Sequence, residues 1–240
     1  NAFKYWLQVG DEQFNNIDSA CEAISESGTI TVIDDADVRF IQNFTKNNDT
    51  DRNITFDLNG HSIETTQQIN NHTNVTIVDS SNGKTGKITA TRVDVLVNQS
   101  DGTLTINSGE YTSNLANVYG IENNGTMEIN AAHITGPTAG MINNGTLTIN
   151  DVLIDTTPIG IKNYRGSITF NDGRIDATDV GISKDGGYVT VNGGYIYGTN
   201  YGLGGSESGA EVNGGVVKST NSNAIYTYYK GDNKTGDILV

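Results

Sequence analysis

Aspartates recur in this chain at spacings that could serve acid–base or metal chemistry. The candidates are Asp151 with Asp172, Asp155 with Asp176, and the adjacent pair Asp34 and Asp35. Glycoside hydrolysis generally uses two spaced carboxyl groups, and Ca²⁺ prefers oxygen ligands. Carboxylates on neighbouring repeats repel each other unless a cation lies between them, and Lys162, Arg174 or Ca²⁺ could take that place. A solvated acidic face is the simpler interpretation, so we assign no catalytic residue, no metal site and no cofactor to these pairs.

A second group of residues could bind sugars. The predicted ligand-binding residues are Arg174, Asp176, Tyr195, Tyr197, Tyr201 and Lys218. Sugars stack on aromatic rings while their hydroxyl groups hydrogen-bond to polar side chains, and a uronate carboxylate would favour Arg174 and Lys218. The alternative is a purely structural role for the tyrosines, because strands favour this residue type in any case.

A short phrase that repeats between Leu104 and Lys218 would position these residues. It reads Leu-Thr-Ile-Asn or a variant, and its asparagines are Asn107, Asn130, Asn150, Asn171, Asn192 and Asn213. Their spacings of 23, 20, 21, 21 and 21 residues are typical of a solenoid, in which each repeat buries its apolar face against its neighbours. Apolar and polar residues alternate within the phrase, which predicts strands. The recurring asparagines predict a column of side-chain amides hydrogen-bonded from repeat to repeat.

Tight corners and a further strand complete each repeat. Asn124-Gly125, Asn144-Gly145 and Gly186-Gly187 supply the positive φ values that sharp corners favour. Another short strand is predicted four residues beyond each repeated asparagine, at Tyr111, Ile134, Ile154, Ile175, Ile196 and Val217. Each coil therefore carries about three short strands, and coils stacked roughly 4.8 Å apart give a parallel β-helix of roughly nine coils.

The first part of the chain differs from the repeats, and we expect residues 1–28 to cap a β-helix that spans residues 29–240. The stretch 18–26 predicts a short helix with Asp18 or Ser19 as its N-cap and Gly28 as its stop. Such a helix would cover the open end of the solenoid core. The apolar residues expected to complete this cap are Phe3, Tyr5, Trp6, Leu7 and Phe14.

Composition excludes several classes of partner. The net charge of −14 argues against nucleic acid and anionic membranes, which bind basic surfaces. The single cysteine, Cys21, permits no internal disulfide and is expected to be a buried thiol. No apolar run is long enough to span a bilayer and no signal peptide is evident. We expect the sequence to be a fragment of a longer protein.

The N-terminal region and the first coils carry a family resemblance. The phrases concerned are Val9-Gly10-Asp11, Phe14, Ile17, Ala20, Ala23-Ile24, Gly28-Thr29-Ile30-Thr31-Val32, Asp34 and the run 54–63, which contains Asp57-Leu58-Asn59-Gly60-His61. They resemble a pattern of bacterial surface proteins in which a capping helix leads into a pectate-lyase-like right-handed β-helix. The asparagine-rich composition is similar to that of the binding regions of lactobacillal serine-rich-repeat adhesins. The resemblance implies an all-β, right-handed parallel β-helix with an N-terminal capping helix.

The same resemblance implies a function at the cell surface. We expect the ligand-binding region of a bacterial adhesin, extracellular and monomeric, that recognises polysaccharide or glycoprotein glycans along a lateral face. The superfamily also contains pectate lyases and polygalacturonases, so a polysaccharide lyase or hydrolase is the alternative, and a passive stalk is the third. The hydrolases' Asn-Thr-Asp, His-Gly and Arg-x-Lys motifs do not occur here, and His61 belongs to a structural phrase.

Overall fold

The computed structural model describes residues 4–205 and 209–226 and the backbone of Ile238–Leu239. It contains 54% strand and 3% helix, and its parallel sheets form a β-solenoid of about eight turns. The prediction of an all-β parallel solenoid is therefore confirmed.

The elements follow one another in short segments. The first part of the chain forms β1 (Leu7–Val9), β2 (Glu12–Phe14), α1 (Ile17–Glu22), β3 (Ser27–Val32), β4 (Ala36–Val38), β5 (Gln42–Phe44), β6 (Asn53–Asp57), β7 (Ser62–Thr65), β8 (Ile69–Asn71) and β9 (Asn74–Val78). The middle forms β10 (Lys87–Ala90), β11 (Leu96–Asn98), β12 (Thr103–Ile106), β13 (Glu110–Ser113), β14 (Tyr119–Asn123), β15 (Thr126–Ile129), β16 (His133–Thr135), β17 (Ala139–Asn143) and β18 (Thr146–Ile149). The last part forms β19 (Leu153–Asn163), β20 (Ser167–Phe170), β21 (Arg174–Lys184), β22 (Tyr188–Val191), β23 (Tyr195–Gly198), β24 (Tyr201–Gly204), β25 (Ala210–Val212), β26 (Val216–Lys218) and β27 (Ile238–Leu239).

Equivalent strands of successive turns stack into three parallel columns. Column one runs β3, β6, β9, β12, β15, β18, β20, β22, β25 and β27. Column two runs β4, β7, β10, β13, β16, the first parts of β19 and β21, then β23 and β26. Column three runs β5, β8, β11, β14, β17, the second parts of β19 and β21, then β24. The three strands predicted for each coil are thus observed.

Alternation along each strand builds the core. In β12 the side chains of Leu104 and Ile106 are buried, whereas Thr103 is exposed and Thr105 is partly exposed. The register then places Met127 on Leu104 and Ile129 on Ile106 in the next turn. Each turn therefore presents its apolar side chains to the same central stack, which buries them only because turns lie above and below.

Two asparagine ladders run along the solenoid. The predicted outer ladder is confirmed, since the side-chain amides from Asn107 to Asn213 are joined by N–O distances of 2.7–3.0 Å. A second ladder, which the sequence analysis did not identify, is buried at the end of column three. It joins Asn71, Asn98, Asn123, Asn143 and Asn163 at distances of 2.8–2.9 Å. Lys184 takes the next position in register and is also buried, which lowers the pKa of its amine.

The corner beside this inner ladder requires glycine. A Cβ atom on Gly166 would lie 2.1 Å from the carbonyl oxygen of Gly145 in the turn before it. One turn later, Gly187 has a φ of +89° and a Cβ there would lie 2.0 Å from the oxygen of Gly166. The backbones of successive corners thus touch directly, which only a residue without a side chain permits.

The N-terminal cap differs from its prediction. The strands β1 and β2 form an unpredicted antiparallel hairpin, and β1 pairs with β3 so that Leu7 lies opposite Val32. Helix α1 is shorter than expected, since it ends at Glu22, and Gly28, its predicted stop, already lies in β3. Its N-cap is Asn16, whose Oδ1 accepts the backbone N–H of Ser19 at 2.7 Å.

The predicted N-caps were wrong for a physical reason. Asp18 is turned towards the first coil, where its carboxylate accepts the backbone N–H of Asn43 at 3.0 Å and the Asn43 side-chain amide at 2.9 Å. Trp6 and Leu7 are buried as predicted and Phe14 packs partly buried, whereas Tyr5 is 54% exposed and Phe3 lies outside the described residues. Cys21 is confirmed as a buried thiol, and burial raises its pKa to about 11.

Candidate functional site

Column two brings five of the six predicted ligand-binding residues together. Arg174 lies beside Tyr195, and Asp176 lies beside Tyr197, which in turn lies beside Lys218. They alternate with inward residues, of which Ile175 and Ile196 are buried and Val217 is partly buried, so the five occupy the outward positions of β21, β23 and β26. We name this set the tyrosine face. The period-two pattern was sufficient to predict it.

Contacts within the tyrosine face orient its side chains. Arg174 donates to the Asp176 carboxylate through Nε and through Nη2, the latter at 3.1 Å. Its guanidinium carbon also lies 4.5 Å from the ring centroid of Tyr195. The hydrogen bond to Asp176 raises the pKa of Arg174, and a 2.7 Å hydrogen bond with Thr220 lowers the pKa of the Tyr197 phenol. A charged fork therefore stands against an aromatic ring on a partly solvated surface.

Tyr201 does not belong to this face. It begins β24 in column three, where Val180 is its neighbour in register. Its ring stacks on Tyr226 with centroids 4.8 Å apart and an interplanar angle of 26°. Tyr201 lies apart from the other five residues because the chain turns a corner between Gly198 and Tyr201, and its predicted role in ligand binding stays a prediction.

A shallow lateral groove of about 490 Å³ adjoins the tyrosine face at Arg174. It follows the corner between columns one and two across five consecutive turns. Its lining residues are Lys84, Ser108, Gly109, Ala131, Ala132, Asp151, Val152, Leu153, Asp172, Gly173 and Arg174. Four intervals between turns correspond to roughly 19 Å at the spacing of adjacent strands. The groove therefore runs along the solenoid axis, and its charged side chains are Lys84, Asp151, Asp172 and Arg174.

The aspartate pairs fall into two environments. Asp151 and Asp172 line the lateral groove together with Arg174, whereas Asp155 and Asp176 already have basic neighbours. Asp155 lies 2.9 Å from His133 Nε2, and Asp176 accepts from Arg174. A bulge with Thr156 at a φ of +54° also interrupts the register after Ile154. These two carboxylates are therefore paired within the molecule instead of forming a bare acidic column.

The other proposed cation positions differ. Lys162, weighed as a counterion for the aspartates, lies in column three with its ammonium 4.6 Å from the ring centroid of Tyr164. In the first coil, Asp34 pairs with Lys4 at 3.0 Å, and Asp35 accepts the backbone N–H of Ser62 at 2.8 Å. Among the residues that the structure describes, no group of three or more His, Cys, Asp or Glu side chains is placed to hold a metal ion.

Column three contains a titratable cluster that the sequence analysis missed. Burial, together with a hydrogen bond to the Glu122 carboxyl and its charge, raises the pKa of Asp94 to about 6, even though Asp94 accepts the backbone N–H of Tyr119 at 2.6 Å. The Tyr119 phenol, whose pKa burial raises, lies within electrostatic reach of Lys162. Asp94 occupies an irregular stretch between strands, so no repeat position could have assigned it a neighbour.

Comparison with protein-family models, with curated proteins and with solved structures found no match to this chain. Within the described residues, no helix is long and apolar enough to cross a membrane.

Proposed function

We propose that this chain is the ligand-binding region of a bacterial cell-surface adhesin that holds a polysaccharide or a glycoprotein glycan along its lateral face. The observation that carries the proposal is the Arg174–Tyr195 pair, with Asp176 beside it, at the end of the lateral groove. An aromatic ring with a neighbouring hydrogen-bonding fork is the arrangement that stacks a sugar and binds its hydroxyl or carboxylate groups. The assignment to an extracellular bacterial adhesin rests on the sequence resemblance.

The shape of the groove favours a linear ligand. A groove that crosses five turns offers the same kind of corner repeatedly, as an extended chain of sugar units requires. Its small residues, Gly109, Ala131 and Ala132, leave the backbone open to a ligand. The exposed guanidinium of Arg174 and the exposed ammonium of Lys218 would select carboxylated sugars over neutral ones.

A polysaccharide lyase or hydrolase is the second candidate, and one observation favours it. Asp151 and Asp172 occupy adjacent turns of the groove that Arg174 and Lys84 also line. A carboxylate pair with a basic residue beside it in a cleft is what cleavage of an acidic polysaccharide requires. A passive stalk, the third possibility, would need neither the groove nor the exposed Arg174–Tyr195 pair.

The test is a binding assay on immobilised glycans and on polygalacturonate, in which the same samples are monitored for unsaturated sugars and reducing ends. We expect binding without turnover, weakened about tenfold by Tyr195→Ala and by Arg174→Ala. Tyr188→Ala is the matched control because this tyrosine is also exposed but belongs to column one. Turnover that disappears in Asp172→Asn would establish the enzyme instead, and neither binding nor turnover would leave the stalk.

The chain's charge of −14 adds a pH dependence. Protonation of surface carboxylates below about pH 5 reduces the repulsion of an anionic polysaccharide, while the arginine and lysine side chains stay charged. Affinity for polygalacturonate should therefore rise from pH 7 to about pH 4, whereas affinity for a neutral glycan of similar length should change little. Equal affinity for polygalacturonate at both pH values would contradict the electrostatic part of the proposal.

A further inference from the structure

A large groove lies at the opposite end of the solenoid from the tyrosine face. It has a volume of about 920 Å³ and lies between the cap residues Trp6 and Asn15 and the first coil. Residues 35–42 of that coil all line it. Glu64 of the second coil completes one wall. We name it the N-terminal groove. It shares no residue with the lateral groove or with the tyrosine face.

The described part of the cap covers two of the three columns at this end and leaves the third open. Column one is extended by β1, which pairs with β3, and column three is covered by α1, whose Asp18 accepts the Asn43 backbone N–H. Column two begins with β4, and within the described part of the chain β4 pairs with β7 alone. Among the residues that the structure describes, no strand lies on the other edge of β4, and the residues of β4 line the N-terminal groove.

The hydrogen-bond pattern shows which backbone groups face outward. The carbonyl oxygen of Val38 accepts from the backbone N–H of Thr66, so Val38 faces β7. Successive residues of a strand direct their amide groups to opposite sides, so the N–H and C=O of Asp37 are directed away from β7. The Asp35 carbonyl lies on that same side, because it accepts from Lys4 of the cap at 2.6 Å. No residue in the described part of the chain hydrogen-bonds to the N–H or the C=O of Asp37, so this edge of β4 offers a donor and an acceptor to the N-terminal groove.

The side chains around this edge are apolar and acidic. Phe40 is 77% exposed and Ile41 is 54% exposed, the two most exposed large hydrophobic residues of the groove. The lining contains the four carboxylates of Asp18, Asp35, Asp37 and Glu64 against the two cations of Lys4 and Arg39, a net charge of −2. A ligand suited to this surface combines apolar and basic side chains with an extended backbone.

We propose that the N-terminal groove binds an extended peptide segment of a partner protein, with alternating apolar and basic side chains, which adds to column two as a strand on the free edge of β4. The backbone of Asp37 supplies the pairing, Phe40 and Ile41 receive the apolar side chains, and the carboxylates receive the basic ones. A second copy of this chain is a poorer occupant, because two chains of charge −14 repel each other. The site is independent of the glycan face.

The test measures fluorescence anisotropy of a labelled eight-residue peptide of alternating lysine and valine against the whole chain. A peptide of alternating glutamate and valine should bind at least about tenfold more weakly. Two further peptides carry N-methyl groups on every lysine or on every valine, which blocks one edge of the peptide in each case. Strand addition uses a single edge, so one of these two should lose about tenfold in affinity and the other should retain it.

Variants of the chain complete the test. Asp37→Pro removes the groove-facing N–H without touching the ladder to β7, so it should weaken binding about tenfold, whereas Asp37→Asn should retain most of it. Phe40→Ala should weaken binding, and Leu115→Ala, at another residue that is 45% exposed, is the matched control. If Asp37→Pro does not fold, the N-methylated peptides decide alone.

Three results would overturn the proposal. One is absence of binding by the lysine–valine peptide. Another is equal affinity for both N-methylated peptides, which would indicate adsorption by charge without strand pairing. The third is a dimer in sedimentation velocity that Phe40→Ala dissociates, because a second copy would then occupy the groove.

Discussion

The inner asparagine ladder makes a quantitative prediction about the stability of the solenoid. Asn143 is fully buried and makes four side-chain hydrogen bonds, in which it accepts from Asn123 at 2.8 Å and donates to Asn163, Gly145 and Ser167 at 2.8, 3.1 and 3.3 Å. Asn143→Ala removes all four. Asn123 keeps its bond to the Thr146 carbonyl, whereas the Asn163 oxygen loses the ladder bond that it accepts. One orphaned buried acceptor costs about 1–3 kcal/mol, and the lost bonds add to it, so we expect a loss of about 3 kcal/mol.

The outer ladder supplies the matched control. Asn150 also accepts from one ladder neighbour and donates to another, and it makes a further bond to Glu128, but it lies where water can replace its partners. Asn150→Ala should therefore cost less than about 1 kcal/mol. The assay is urea unfolding monitored by far-ultraviolet circular dichroism. Tryptophan fluorescence is less suitable, because Trp6 lies in the cap and would report on that end. At a urea dependence of about 2–3 kcal/mol per molar, Asn143→Ala should lower the midpoint by about 1 M or more. Equal midpoints for the two variants would refute the assignment of the inner ladder as a principal stabilising element.

Two other predictions concern a carboxyl group and a corner. The pKa of Asp94 is raised from its ordinary value to about 6, so the unfolded chain loses this proton first and stability should fall as pH rises from about 4 to about 6. Asp94→Asn should remove that loss, so the urea midpoint of the variant relative to that of wild type should be higher at about pH 7.5 than at about pH 4. The same difference between the two midpoints at both pH values would contradict the raised pKa. Gly166→Ala places a Cβ 2.1 Å from the Gly145 oxygen and should destabilise the chain by about 3 kcal/mol, whereas Gly83→Ala meets only a Thr85 side chain at 3.2 Å and should be much milder. Similar thermal midpoints for the two alanine variants would show that the corner can expand.

The repeats allowed much of the fold to be predicted from the sequence because a solenoid uses one local rule many times. Leu104 and Ile106 alternate with Thr103 and Thr105, and the same alternation two turns later fixes both the strand and its inward face. Five of the predicted site residues share one outward face for this reason, since Tyr195 and Tyr197 occupy outward positions relative to the buried Ile196. A constant period converts sequence spacing directly into spatial adjacency.

The features that sequence reasoning missed depend on contacts outside the repeat. Asn16 is the N-cap in place of Asp18 because the first coil offers Asp18 the backbone N–H of Asn43, a partner far away in the sequence. Tyr201 lies apart from the other five residues because the chain turns a corner after Gly198, which the repeat pattern did not locate. The pairing of Asp155 with His133 was also missed, as was the bulge at Thr156, a non-glycine residue with positive φ that no pattern indicated.

The outward positions of column two show why two separate binding surfaces can coexist on one solenoid. Because backbone pairing and the inward side chains join the turns, the outward side chains of column two can change from turn to turn without cost to the core. One outward row begins with Asp37 and Glu64 at the N-terminal end and finishes with Tyr197 and Lys218. Asp37 and Glu64 line the N-terminal groove, whereas Tyr197 and Lys218 belong to the tyrosine face, which adjoins the lateral groove. A single row of equivalent positions thus connects the two proposed sites, one for a basic peptide and the other for an acidic glycan.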